Sequence, residues 1–439
     1  MIFYLKYILR QILEIRAGGL SLLLKKLQRP TRFIYDRLVI KVLYPIPFLP
    51  VILMIRVIQP IIVFRLCRLH SLKLGHLTVN TEIHLCEKSA DLHISRCRYV
   101  DFYFYAHRII CNMQLAKMWE REILILPRWF MEPLFNANRL IPGGSIHEVD
   151  VRSQSGRDEH GLLNKSKTHI AFTPEEEKFG VTTLNNMGIT HNDKFVCVIF
   201  RDHAYFDDLL GLGKDARDGY RNSDIKNFFE AAEELSLRGY YVLRMGKRVE
   251  QPFISNNKRI IDYASSPYRS DFMDIYLGAK CTFAVSTGTG WDGVPQIFRR
   301  PICYVNLSPL GYSPTSRVGD LFIPKHHFSI TLKRELSLRE IFECGADKFA
   351  HSGLYAANGI VLVENTPEEL RDVVIEMDEK IRKVWSDLSG DDLRLQNQFR
   401  IIFREGIETS GISHLHGEFM AIISAVFLRK NEWWLKRST

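Results

Sequence analysis

The stretch that decides the fold class is Cys281-Thr-Phe-Ala-Val-Ser-Thr-Gly-Thr-Gly-Trp-Asp-Gly-Val-Pro-Gln-Ile-Phe-Arg-Arg-Pro-Ile-Cys-Tyr-Val305. Its apolar run at 283–285 breaks off into Ser286-Thr287-Gly288-Thr289-Gly290, and a second apolar run at 302–305 follows Pro301. The pattern predicts a buried parallel strand, a small-residue loop opening a helix, then the next strand. In an open α/β sheet such a loop sits at the carboxyl edge, where ligands bind. Hydroxyls and bare amides at a helix start suit a phosphate or diphosphate.

Outward from this stretch, strand and helix alternate at βαβ spacing. Thr173-Pro-Glu-Glu-Glu177 opens a helix with Thr as N-cap and acids in the first turn. A strand at 195–200 ends in Arg201-Asp202. Asn222-Ser-Asp224 caps a helix reaching 237, and strands follow at 240–244 and 260–261. A helix at 271–277 leads into the opening stretch, and Thr366-Pro-Glu-Glu369 begins a long helix followed by a helical tail. This alternation predicts a doubly wound parallel sheet. Earlier in the chain, 71–85 reads as strand, Gly75 turn and helix, with further strands at 101–105 and 122–126. Residues 143–167 read as a long surface loop.

At 439 residues, 46% apolar and 25% charged, the chain is an ordinary folded protein of two domains with an appendage. Its net charge of +9 is uneven: the first 75 residues hold only Glu14 and Asp36 as acids. That asymmetry predicts a local basic surface rather than a protein that coats nucleic acid, and no basic-aromatic nucleic-acid module is evident. Residues 1–29 resemble a basic amphipathic helix lying on an anionic membrane. Residues 42–64 are very apolar, but four prolines and Arg56 interrupt them, which disfavours a spanning helix of roughly 20 residues. Additional core or a dimer contact is the competing reading of this N-terminal part. The eight cysteines form no C-x-x-C pair and predict free thiols.

Charged and aromatic residues cluster just after strand ends: Arg201, Asp202 and Tyr205; Arg244 and Gly246; Asp262 and Tyr263; and 286–290. A parallel sheet brings these to one edge. Arg244 and Arg269 are candidates to clamp a diphosphate; ion pairs with Asp262 or Asp271 are the competing reading. Arg221 stands directly ahead of a helix start. On the N-terminal side, His76 or Glu82 is a candidate general base toward an acceptor hydroxyl. Asp207-Asp208 and Asp391-Asp392 lack the surroundings of a divalent-ion site and read as solvated acids, so no metal is expected. Walker, dinucleotide and nucleophile-elbow motifs are absent, which removes support from kinase, dehydrogenase and hydrolase readings.

At these residues the chain resembles a family of bacterial glycosyltransferases found with surface-polysaccharide genes. The matching text is Gly75-His76-Leu-Thr-Val-Asn80-Thr-Glu82, Arg201-Asp202-His-Ala-Tyr205, Tyr220-Arg-Asn-Ser-Asp-Ile225, Arg244-Met-Gly246 and Ile261-Asp-Tyr263. It continues in Arg269-Ser-Asp271-Phe-Met-Asp274, Ser286-Thr-Gly-Thr-Gly290 and Glu364-Asn-Thr-Pro-Glu368, spanning about 69–385. More distantly the layout is similar to lipopolysaccharide heptosyltransferases, which have two facing Rossmann-like domains, the GT-B arrangement.

That resemblance implies an α/β fold of two facing Rossmann-like domains, and the basic, apolar text of 1–68 adds an N-terminal membrane-associated helical segment. An acceptor domain follows at 69–172, a nucleotide-sugar domain at 173–385 and C-terminal helices at 386–439. It implies that Ser286, Thr287, Gly288, Thr289 and Gly290 hold the donor diphosphate. Arg201, Arg244 and Asp262 line the donor crevice, and Tyr205, Arg221, Gly246, Tyr263 and Arg269 are further donor-binding candidates. Gly75, His76 and Glu82 face the reacting sugar, and Asp202 joins His76 and Glu82 as a catalytic candidate. The heptosyltransferases carry an acid after the corresponding first Gly, where this chain has His76.

The implied activity is metal-independent and cofactor-free. Sugar passes from a nucleotide-sugar donor to a lipid-linked or surface-polysaccharide acceptor (O-antigen or capsule), peripherally on the cytoplasmic membrane surface. A sugar-nucleotide epimerase of the same fold and a non-catalytic scaffold of a polysaccharide assembly complex are the rival readings. The sequence leaves the oligomeric state open.

Overall fold

The computed structural model describes residues 43–92, 98–151, 156–202, 204, 219–383 and 390–436. The helix expected over 1–29, Tyr205 and the Asp207-Asp208 pair lie outside them. The described residues fall into two compact units. Among the described residues one draws on 43–69, 98–108 and 123–150, the other on those of 70–92, 109–122 and 151–436.

In the first unit strand β1 (Ile62–Leu69) lies between β2 (Arg98–Tyr105) and β3 (Glu148–Asp150), both parallel to it. Leu66 pairs with Phe102 on one side and Glu148 on the other. The helix Leu49–Ile58, with Pro50 in its first turn, turns Ile52 into a core shared with Leu66, Phe104, Met131, Leu134 and Phe135. Burying one such side chain stabilises by about 1.5–3 kcal/mol. Residues 43–69 therefore supply the central strand and a core helix of a folded unit. The first strand, expected within 71–85, stands at 62–69 instead. There a run of β-branched and apolar residues carries a strand better than a segment broken by Gly75. Of the strand expected at 122–126 only one bridge, Tyr103 to Ile125, is formed. Glu122 belongs to the preceding helix, Met113–Glu122, and Pro127 stops further pairing.

The second unit carries a seven-stranded sheet built from β4 (Lys194–Ile199), β5 (Tyr240–Arg244), β6 (Ile260–Ile261), β7 (Ala284–Ser286), β8 (Ile302–Leu307), β9 (Leu321–Pro324) and β13 (Ile422–Ile423). Their order is β13-β9-β8-β7-β4-β5-β6, and each neighbouring pair is parallel. A small antiparallel sheet of β10 (His326–Ser329), β11 (Arg334–Glu335) and β12 (Ile360–Val363) stands apart from it. The helix starts read from sequence form as cap geometry. Thr173 and Glu176 make a capping box at Pro174–Asn186, and Thr366 and Glu369 make another at Pro367–Ile381. Asp224 caps a short turn, Ile225–Phe228, that feeds the helix Phe229–Leu237.

Part of the span 69–172 belongs to this second unit. Residues 76–89 and the helix Met113–Glu122 pack here, whereas β2 and β3 do not. Within 143–167 the described residues are not all surface loop. They include β3, and Asp158 is buried with its carboxylate accepting from the Leu162 and Leu163 amides at 2.7 and 2.8 Å.

Candidate functional site

Strands β4, β5 and β6 run outward one way from the centre of the large sheet, and β7, β8 and β9 the other. The reversal falls between β4 and β7. Such a switch point opens a crevice at the carboxyl ends of its two strands. Arg201 follows β4 there, and the 286–290 loop follows β7. The two ends are tied together: the Arg201 amide donates to Thr287 Oγ1 at 2.9 Å, and the Thr287 amide to the Ile199 carbonyl at 3.3 Å.

The loop is braced from beneath by Asp292, which is buried. Ser286 Oγ donates to its carboxylate at 2.5 Å, Thr289 Oγ1 at 2.9 Å and the Thr289 amide at 2.7 Å. Burial pushes the Asp292 carboxyl up to about 6, against the pull of those hydrogen bonds. The three hydroxyls of Ser286, Thr287 and Thr289 thus hold the loop's shape. Exposure rises from buried Thr287 through half-buried Gly288 and Thr289 to exposed Gly290. Gly288 is left-handed, with φ of +79°, a conformation that costs an L-side chain about 1–2 kcal/mol. The Arg221 guanidinium donates to its carbonyl. Gly290 begins a helical turn, Gly290–Asp292, that continues into Gly293–Ile297. What the loop offers outward is therefore backbone at a helix start with Arg221 beside it, an arrangement suited to an anion.

Gly75 meets this loop within the same unit. A β-carbon on Gly75 would lie 3.2 Å from the Gly290 carbonyl oxygen, and one on Gly290 would lie 3.4 Å from the Gly75 nitrogen. Gly75 itself is helical, with φ of −58°, so close approach rather than a tight turn demands a glycine. The next residues, His76–Asn80, form a wide π-type turn before the helix Thr81–Ser89. Thr78 Oγ1 donates to the Leu74 carbonyl at 2.7 Å and Trp119 Nε1 to the Leu77 carbonyl at 3.0 Å, which secures the widened turn. Turns of this kind recur at functional sites. Half-buried His76 has its Nδ1 3.2 Å from Asn80 Nδ2.

Several other candidates sit in structural pairings. Glu82 is fully buried. It accepts from Arg299 Nη2 at 2.7 Å and lies 3.2 Å from His169 Nδ1, so its carboxylate is engaged in a buried pairing. Its place in a helix that packs inward, invisible in the local sequence, removes it as a base.

Arg244 is also buried. It lies 3.4 Å from Asp262 and 3.7 Å from Asp202, with its guanidinium 4.9 Å from the Phe200 ring centre. Burial lowers its pKa, and the two carboxylates oppose that. Asp202 further accepts from the Ala204 and Glu250 amides, and Asp262 from the Phe253 amide. The three residues tie the ends of β4, β5 and β6 together. Arg244 is not an open diphosphate clamp, and Asp202 is not an open base.

Arg269 pairs with Asp271 at 3.3 Å and Asp274 at 2.9 Å, while buried Tyr263 donates to Asp274 at 2.9 Å. Gly246 packs against Val249. Asp391 and Asp392 pair with Arg394 and Arg429 on the surface.

The structure adds residues that the sequence reading did not single out. Asp292 was foreshadowed by the Thr289-x-x-Asp292 spacing, a capping-box pattern. Lys325, buried, donates to the Asn222 carbonyl at 2.6 Å just behind Arg221. Arg299 adopts a left-handed φ of +61° and gave no local signal. Glu82, Cys86 and His169 bring potential ligand atoms within 4.8 Å of one another, but Arg299 supplies the positive charge in that cluster. A divalent ion there would sit against a guanidinium.

No protein-family profile matches the chain, and no curated protein matches it in sequence. Among solved structures, the glycosyl transferase family 9 protein from Veillonella parvula aligns at 12% identity and a TM-score of 0.42, over 73% of this chain and 97% of that one. The ADP-heptose lipopolysaccharide heptosyltransferase II of E. coli aligns at 11% identity and a TM-score of 0.39, over 73% and 99%. Likeness at this level says nothing of ligand or activity.

Proposed function

We propose that this protein is a nucleotide-sugar-dependent glycosyltransferase that acts on a lipid-linked or surface-polysaccharide acceptor, such as O-antigen or capsule, at the cytoplasmic face of the membrane. The observation that carries the reading is the Ser286–Gly290 loop at the switch point, braced by Asp292 and opening to solvent at Gly290, beside Arg221 and one residue from His76 through Gly75. The exposed helix start at Gly290 and the guanidinium groups of Arg201 and Arg221 bind the diphosphate. They stabilise the charge that grows on it as the anomeric C–O bond breaks. Side-chain cations rather than a divalent ion carry that work, and no cofactor takes part.

In an inverting transfer the acceptor oxygen forms the new bond to the anomeric carbon and its proton passes to His76. The nucleoside diphosphate leaves with the electron pair of the old bond. The Asn80 amide at Nδ1 bears on the tautomer of the ring. When its amide oxygen faces Nδ1–H, Nε2 carries the lone pair and can take the proton; when its NH2 faces Nδ1, Nε2 is a donor.

The test is nucleoside diphosphate release across a panel of nucleotide sugars with lipid-linked acceptors. Release that requires both donor and acceptor supports the reading. Donor isomerised without acceptor turns it into an epimerase. Failure of the folded protein to bind or use any donor removes it.

A further inference from the structure

The helix Leu49–Ile58 has two apolar stripes. The inner one carries Ile52 into the core of the first unit. The outer one, Leu53, Met54 and Val57 continuing to Ile61, follows helical spacing and is exposed, with Val57 at 79% and Ile61 at 77%. A helix face that meets water is ordinarily polar. Here the helix's single charge, Arg56, turns away from that face. Its Nη2 donates to Asn138 Oδ1 at 2.8 Å and its Nη1 to the Pro142 carbonyl at 3.3 Å. At the stripe's amino end stand exposed Tyr44 and Trp129, the latter 70% exposed, with the Tyr44 hydroxyl 3.5 Å from the Trp129 carbonyl oxygen. Exposed apolar surface of this extent marks an interaction face.

From this we infer that the outer face of this helix, with Tyr44 and Trp129 at its rim, is a bilayer-insertion surface built into the folded unit. Tyr and Trp belong at the boundary between headgroups and acyl chains, and aliphatic side chains belong below it. The chain that runs directly into Leu43 carries nine Lys and Arg against Glu14 and Asp36. That charge favours anionic lipid over a protein surface as the occupant. At ten residues the helix is about 15 Å long, half of what crossing needs. No described helix is long and apolar enough to cross a membrane. The helix lies in the interface, immersed along one side.

The inference rests on the first unit alone and goes beyond the proposed chemistry, so the two can fail separately. Full-length protein is mixed with vesicles of phosphatidylglycerol and phosphatidylethanolamine, with and without brominated acyl chains. The fluorescence of Trp129 is isolated by difference from Trp129→Phe. Bromine should quench the Trp129 component, and the paired change Leu53→Asp with Val57→Asp should weaken vesicle binding at least about tenfold. The milder Leu53→Ser with Val57→Ser should weaken it less, which covers the case where the charged pair misfolds. Donor use in detergent should be unchanged in both. Unquenched Trp129, or vesicle binding indifferent to both pairs, overturns the inference. So does a result in which the substitutions split an oligomer while vesicle binding stays the same, since the face would then join copies of this chain.

Discussion

Gly75 and Gly290 meet backbone against backbone, close enough that a β-carbon on the first would lie 3.2 Å from the carbonyl oxygen of the second. Two loops more than 200 positions apart are thereby held in register, His76 on one and the helix-start amides on the other. The contact leaves no room for a methyl group unless one loop yields.

Gly75→Ala should therefore shift the two loops by a few tenths of an ångström. Turnover should fall about tenfold, and more for Gly75→Val, with little change in melting temperature, because misplacement near 1 Å costs about 10²-fold. Steady-state kinetics beside thermal denaturation would separate the two. Wild-type turnover in Gly75→Val would show that the approach has no catalytic role.

His76→Ala should lower kcat by about 10²–10⁴-fold, the usual range for loss of a general base. Asn80→Ala should lower it less and displace the acid limb of the pH profile, because the ring loses the group that orients it. An Asn80 variant with an unshifted profile would count against the positioning role.

Arg221 and Arg244 should behave oppositely. Arg221→Ala should weaken nucleoside diphosphate binding about 10–100-fold, the loss of one charged hydrogen-bonding group, and leave the fold intact. Arg244→Ala strands Asp202 and Asp262 without their buried partner and should destabilise by about 3 kcal/mol. Calorimetric titration and denaturant unfolding distinguish them.

Buried Asp292 and half-buried His169 should give the stability a pH signature. Asp292 is held at about 6, above its unfolded value, so the folded form binds its proton more tightly. Its contribution is full below about 4 and disappears as pH rises through 6. His169 is raised to about 9 by its neighbours Cys86 and Glu82. Its contribution is full below its unfolded value near 6.5 and disappears as pH rises through 9. Urea midpoints should decline over both windows. Asp292→Asn should flatten the lower one and His169→Gln the upper one, and parallel curves for wild type and variant would refute either assignment.

Local patterns along the chain were enough to define the alternation of strand and helix from Thr173 onward and its caps at Thr173, Asp224 and Thr366. They also sufficed to mark 286–290 as a loop at a sheet edge. Each of these depends on residues within a few positions of one another, so the sequence states them directly. It could not show which hydroxyls of that loop face inward, because Asp292 claims them only once the strand ends are fixed. Nor could it show that Arg244 and Glu82 are buried in ion pairs, since their partners Asp202, Asp262 and Arg299 arrive from other strands and helices. The same holds for residues 43–69, whose largely apolar text suits a membrane face and a core equally. Tertiary packing resolved this by turning Ile52 inward and Val57 outward. Burial and charge pairing belong to distances through space, and those exist only after the chain has folded.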